Sequence, residues 1–284
     1  MGVDERTTRR GPLRLLTLLA LAALLAAAPR ATAADLGQVD LELVLAVDIS
    51  YSMDVEEQQV QRDGYVAAIT SKPVLDAIRD GLLGRVAVAY VEWAGADEQR
   101  TIVPWRLIDG PASAQAFADE LAAQPLRRAY RTSISGALTH AVRMFDGNGY
   151  DGLRKVVDVS GDGPNNQGAP VENVRDEAIE RGVVINGLPL MLKRPSYAMM
   201  DLVDLDVYYR DCVVGGPGAF VLPVRAIEQF AEAVRTKLVM EIAGLPPEAP
   251  AIGLSTAPRV QPAADDPTSS CTVGEQLWRD RFGN

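Results

Sequence analysis

The apolar positions of this chain fall into two alternating rhythms. Leu43-Val44-Leu45-Ala46-Val47 is an unbroken run of small apolar residues, which predicts a strand covered on both faces, as in a parallel sheet. From Val55 to Ile69 the apolar spacing becomes helical. Arg85 to Trp93 predicts a second strand and Thr101 to Leu107 a third. Pro104 puts that third strand at a sheet edge, because proline has no N–H to give a ladder. Ser113 to Ala123 predicts a helix with Ser113 as its N-cap. Thr132 to Phe145 predicts another, its stripe formed by Ile134, Ala137, Leu138, Ala141, Val142 and Phe145. Lys155 to Val159 reads as a strand, Val171 to Arg181 as a helix and Val183 to Leu192 as a strand. Tyr208 to Cys212, the turn Gly215-Gly216-Pro217-Gly218 and Ala219 to Val224 read as strand, turn and strand, with a helix over Ala226 to Ile242.

Strands alternating with helices predict an α/β fold with a doubly wound, mostly parallel central sheet flanked by helices. Residues 34–243 would form that single domain, within the usual size range. Beyond Gly244 the composition turns to Pro, Ala, Ser and Asp, predicting an extended C-terminal tail over 244–284 with little secondary structure.

The first 33 residues obey a different logic. Arg9, Arg10 and Arg14 precede an apolar run from Leu15 to Ala28, and Ala31-Thr32-Ala33 supplies small residues for cleavage. That order predicts a secretory signal peptide over 1–33, cut near Ala33 or Ala34. Its apolar run is shorter than the roughly 20 residues that span a bilayer, so cleavage is expected over retention as an anchor, leaving no stable membrane span. The expected location is periplasmic or secreted. Removing the segment takes away five arginines and two acids, so the net charge moves from −10 to about −13. Such a protein has no electrostatic footprint for nucleic acid. The two cysteines, Cys212 and Cys271, form an even pair. In an exported chain that predicts one disulfide, against the plainer alternative of two unrelated thiols.

Oxygen-bearing side chains gather where the predicted strands end. Asp48, Ser50 and Ser52 crowd the turn after the first strand, Thr132 opens a helix, and Asp162 follows another strand. In a doubly wound sheet such turns converge on one rim, and hard oxygens suit a hard divalent cation. Each has a plainer use taken alone: Asp48, Ser50 and Thr132 as helix caps, and Asp162 as a turn residue. Their joint occurrence in this order argues for a site.

In this the chain resembles the von Willebrand factor type A domain and its metal-ion-dependent adhesion site. Asp48-Ile49-Ser50-Tyr51-Ser52 matches that site's Asp-x-Ser-x-Ser pattern, Thr132-Ser133-Ile134-Ser135-Gly136 its threonine turn, and Asp162-Gly163 its final Asp-Gly. The likeness covers about residues 40 to 243, and is greatest to a group of uncharacterised exported bacterial proteins with this domain. It implies that Ser50 and Ser52 ligate a divalent metal directly. Thr132, Asp48 and Asp162 would ligate directly or through water. Mg²⁺ is the first expectation, with Mn²⁺ or Ca²⁺ as alternatives. It also implies an open metal position for an acidic residue of a protein partner, and a binding module in preference to an enzyme.

The enzymatic alternative is a metal-dependent hydrolase using the same oxygens to activate water. A Ser-His-Asp mechanism needs a histidine beside a serine nucleophile, and the one histidine, His140, is expected two helical turns from the rim. The EF-hand-like start at Asp146 fails, with Asp151 at the glycine position and Val157 at the final glutamate.

Overall fold

The computed structural model describes Gly2 and residues 37–192, 202–244, 259–264 and 269–283. The predicted signal segment over 1–33 lies outside the described residues, Gly2 apart. Among the described residues no helix is long and apolar enough to cross a membrane.

In chain order the elements are β1 (Gly37–Val39), β2 (Leu41–Asp48), α1 (Val55–Ile69), α2 (Lys72–Arg79), β3 (Val86–Trp93) and β4 (Gln99–Ile108). Then come α3 (Pro111–Ala122), α4 (Ile134–Met144), β5 (Tyr150–Gly152), β6 (Lys155–Gly161), α5 (Val171–Glu180) and β7 (Val183–Pro189). The last are α6 (Leu205–Tyr208), β8 (Phe220–Val221), α7 (Phe230–Ala243), β9 (Gln261–Pro262) and α8 (Val273–Phe282). The main sheet has the order β4-β3-β2-β6-β7-β8-β9, while β1 and β5 form a separate parallel ribbon. Strands β3, β2, β6, β7 and β8 run parallel, and β4 and β9 pair antiparallel at the two edges.

The central strand shows why the sheet is doubly wound. All eight residues of β2 are buried, and side chains alternate between faces along a strand. Leu41, Leu43, Leu45 and Val47 join a core with Tyr65, Phe117 and Phe230 of α1, α3 and α7. Val44 and Ala46 join the opposite core with α4, α5 and the Tyr208–Val213 segment. An uninterrupted apolar run is the sequence form of a strand that must satisfy two cores.

Helix α1 starts where its spacing predicts, because Asp54 and Glu57 close a capping box: Glu57 N–H donates to Asp54 Oδ1 at 2.8 Å and Asp54 N–H to Glu57 Oε2 at 2.8 Å. Strand β4 is the predicted edge strand carrying Pro104. Ser113 is not an N-cap: α3 begins at Pro111, and the Ser113 hydroxyl reaches back to accept the N–H groups of Asp109 and Gly110.

Two larger differences concern the C-terminal third. Tyr208–Cys212, predicted as a strand, is helical: α6 runs into a π-helical turn over Tyr209–Val213. Its aromatic and β-branched composition reads as strand, but these side chains join the core beside β7, with Tyr209 against Gly187. Gly187 makes the room, since a Cβ there would lie 2.8 Å from the Tyr209 ring. The tail, expected to hold little secondary structure, adds β9 to the sheet and carries the ten-residue helix α8. The predicted disulfide forms between Cys212 and Cys271, tying α8 to the π-turn.

One buried charge cluster crosses the first core. Lys237 of α7 pairs with Asp158 of β6 at 2.7 Å and with Glu241, and Asn186 donates to Glu241 Oε1 at 2.9 Å. Burial, ahead of the opposing Lys237 charge, pushes the Glu241 carboxyl up to about 7.

Candidate metal centre at the sheet rim

Asp48 is the last residue of β2, so its side chain emerges at the carboxyl end of the sheet while still wholly enclosed. The turn after it is pinned from outside: Tyr51 N–H donates to the Ala129 carbonyl at 3.0 Å, and Ala129 N–H to the Ile49 carbonyl at 3.0 Å. Gln61 of α1 donates to the Asp48 carbonyl at 3.1 Å and accepts from the Ser160 hydroxyl at 3.3 Å, joining the ends of β2 and β6. Asp162 follows β6 directly. Gly161 before it allows the close approach, since a Cβ there would sit 2.9 Å from Asp48 Oδ2 and 2.8 Å from the Tyr209 hydroxyl.

The side chains form a relay across the two turns. Ser50 N–H donates to Asp48 Oδ1 at 2.7 Å, Ser50 and Ser52 hydroxyls are 2.8 Å apart, and the Ser52 hydroxyl donates to Asp162 Oδ1 at 2.6 Å. Thr132 reaches the same rim from the third turn. Its N–H donates to Asn166 Oδ1 at 3.0 Å while Asn166 N–H returns to its carbonyl at 2.8 Å. The Thr132 hydroxyl lies 3.9 Å from where a Cβ on Gly163 would stand, so it faces the Asp162-Gly163 turn. Ser133, one residue on, caps α4 through the Gly136 N–H at 3.1 Å. Asp48, Ser50, Ser52, Thr132 and Asp162 therefore meet at one place.

Among the five converging side chains the only ionisable groups are the carboxyls of Asp48 and Asp162. Asp48 Oδ2 is buried with no hydrogen-bond partner among the described residues. Burial first, and the Asp162 charge second, hold the Asp48 carboxyl well above its usual range, against the lowering contacts of Ser50 and of the Asp162 backbone N–H. The Tyr209 hydroxyl beside it is also buried with no hydrogen-bond partner among the described residues, and burial pushes it up as well. Two carboxylates and three hydroxyls, with Asp48 Oδ2 unsatisfied by any close donor among the described residues, fit a small hard cation. The two cysteines are joined to each other, so no thiolate competes. Among the described residues no cluster of three or more Asp, Glu, His or Cys side chains forms at metal-binding spacing, so the rim's capacity rests on two carboxylates plus neutral hydroxyls. His140 is elsewhere, its Nε2 3.2 Å from the Thr101 hydroxyl.

Several residues here carried no sequence signal of their own. Asn165 and Asn166 lock the threonine turn, Asn165 accepting the Ser135 N–H at 3.0 Å. They follow Asp162-Gly163-Pro164, where two asparagines read only as turn formers. Helix α8 was also missed. It lies beside the site, and Trp278, Arg281 and Phe282 share one cleft of about 250 Å³ with Ser50, Ser52, Thr132 and Asp162.

A doubly wound sheet with these three turns on one rim defines a domain of the von Willebrand factor A type. The chain belongs to the family described as "Protein of unknown function (DUF1194)", which it matches over residues 38–246. Among solved structures it is similar to proximal thread matrix protein 1 from the mussel byssus, at 15% identity and TM-score 0.53, with 72% of this chain and 48% of that one covered. A further structure of the mussel protein, at 17% identity and TM-score 0.53 with the same shares covered, has a zinc-occupied MIDAS motif. The pilus adhesin SpaC from Lactobacillus rhamnosus GG, in its open conformation, matches at 12% identity and TM-score 0.54, with 72% and 30% covered. This chain thus spans about half the length of the mussel protein and less of the adhesin. At these identities the likeness shows the fold. No curated protein matches the chain.

Proposed function

We propose that this chain is an exported binding module that captures a protein partner through a divalent cation at the carboxyl rim of its sheet. The observation that carries the proposal is the convergence of Asp48, Ser50, Ser52, Thr132 and Asp162 from three turns around the buried Asp48 carboxyl. The two carboxylates and the Ser50 and Ser52 hydroxyls would hold the ion, with Thr132 joining directly or through water. Mg²⁺ suits these oxygens first, and Mn²⁺ or Ca²⁺ also fit. The bound ion supplies a Lewis-acidic position that a partner's Asp or Glu carboxylate completes. The fixed turns orient that carboxylate, and the neutral hydroxyls keep the site's own negative charge low enough to accept it. The zinc in the mussel protein's MIDAS motif and the adhesin role of SpaC support this reading. The Cys212–Cys271 disulfide supports export, since such bonds persist in oxidising compartments.

The test is calorimetry with Mg²⁺ and Mn²⁺ on the wild type and Asp48→Ala, paired with a pull-down from periplasmic extract with and without EDTA. Metal binding by the wild type alone, with EDTA-sensitive capture of a protein, is the expected result. Equal metal binding by both proteins would remove the site assignment. Metal binding without EDTA-sensitive capture would remove the adhesive role.

A further inference from the structure

The wall of the site that the core fold does not require is α8. Four contacts hold it there. The disulfide fixes Cys271 at its entrance. Gly274 packs so tightly that a Cβ would lie 2.0 Å from the Asn165 carbonyl oxygen. Asn165 donates from Nδ2 to Glu275 at 2.6 Å. The Arg131 guanidinium lies 3.4 Å from the centre of the Trp278 ring.

What this wall presents differs in chemistry from the rest of the surface. The rings of Trp278 and Phe282 are 4.3 Å apart, and those of Tyr51 and Tyr130 are 4.4 Å apart, so two tilted aromatic pairs line the cleft. The strongly exposed aromatics among the described residues are all in it: Tyr51 at 45%, Tyr130 at 75% and Phe282 at 54% exposure. An exposed apolar patch beside a polar site marks a contact surface. Charge points the same way. The chain is strongly acidic overall at −10, yet the cleft is lined by two arginines, Arg131 and Arg281, against the single carboxylate of Asp162.

Resting on the cation-binding reading above, we infer that this cleft takes an acidic peptide segment in which the metal-directed Asp or Glu is flanked by aromatic side chains. The arginines attract the acidic segment, and the two aromatic pairs take the flanking rings. Helix α8 is then the element that sets which carboxylates are accepted, and a carboxylate without ring neighbours gains little from the cleft.

The experiment titrates three capped tripeptides, Ac-Phe-Asp-Phe-NH2, Ac-Gly-Asp-Gly-NH2 and Ac-Phe-Asn-Phe-NH2, into the Mn²⁺-saturated chain by calorimetry. Direct Mn²⁺ titration of each protein accompanies it. The Phe-Asp-Phe peptide should bind about tenfold more tightly than Gly-Asp-Gly, the scale of one or two well-placed aromatic contacts. The Asn peptide should show no binding. Trp278→Ala and Arg281→Ala should each reduce the preference severalfold while binding Mn²⁺ like the wild type, which also reports that their rims are folded. Equal affinity for the two Asp peptides, or a preference that survives both substitutions, overturns the inference while leaving the metal site standing. Failure of the wild type to bind Mn²⁺ overturns the metal site and this inference with it.

Discussion

Arg131 and Trp278 stack across the site, the guanidinium 3.4 Å from the indole centroid. Arg131 is also the non-glycine residue with positive φ among the described residues, at 75°, a conformation costing on the order of 1 kcal/mol. It immediately precedes Thr132. Local strain of this kind persists where surrounding contacts over-determine it, and here the indole and the Asn166 pairing do so. The threonine turn and the C-terminal helix are consequently parts of one arrangement.

In protein freed of metal, Asp48→Asn should be stabilising. The substitution removes a buried carboxylate that faces Asp162 with one oxygen unpartnered. A gain of about 1–2 kcal/mol, or roughly 2–8 °C in Tm, is expected in EDTA. Mg²⁺ should then raise the melting temperature of the wild type and not of the variant. A lower melting temperature for the variant in EDTA would contradict this electrostatic account. His140→Ala serves as control and should alter neither response.

Reduction of the disulfide should release α8 before it unfolds the sheet. Cys212 and Cys271 are 59 residues apart, and the chain-entropy argument assigns such a closure about 4 kcal/mol. Hydrogen exchange with and without reductant should show protection lost first over Val273–Phe282. Simultaneous loss in β2 and β6 would show that the helix and core unfold as one unit.

Gly274→Ala tests the seating of α8 without touching the sulfurs. The added methyl would meet the Asn165 backbone oxygen, which has no rotamer to escape by. A destabilisation of about 1–3 kcal/mol is expected from overpacking, together with faster proteolysis near the helix. Wild-type stability and proteolysis would show that the backbone there yields freely.

The Lys237 cluster gives stability a pH dependence. The folded Glu241 carboxyl titrates at about 7, raised chiefly by burial above its ordinary 4.5, so the folded chain holds a proton that the unfolded chain releases. Its contribution is complete below pH 4.5 and is lost as pH rises through 7. Glu241→Gln should flatten the stability profile between pH 5 and 7.5 by on the order of 2–3 kcal/mol relative to the wild type. Denaturant unfolding across that range measures the difference. Parallel profiles would show that another group carries the proton.

The parts of this molecule legible in its sequence are those where one local signal suffices. The run through β2 has to satisfy two cores, and α1 has both apolar spacing and the Asp54–Glu57 cap. The rim oxygens were readable because each directly follows or opens an element, and sheet topology does the rest. The depth of Asp48 was not readable: the rim residue is fully enclosed, with Gly161 and the Tyr209 hydroxyl close beside it. Nor was Tyr208–Cys212, whose composition favours a strand and whose conformation is decided by the space above Gly187. Helix α8 did leave a trace, since Trp278 and Phe282 are four residues apart as on one helix face. The surrounding Pro- and Ala-rich composition concealed it.

The antiparallel strands at the two ends of the main sheet bear on how these molecules behave when crowded. Sheet edges ordinarily invite another chain to add a strand. Here one edge, β9, is two residues long and ends in Pro262, which has no N–H to donate. The other, β4, carries Pro104, which has no N–H to donate, and an Arg106–Glu120 pair ties it to α3. Strand addition is disfavoured at these two described edges of the main sheet, so a concentrated solution should form few cross-β aggregates through them.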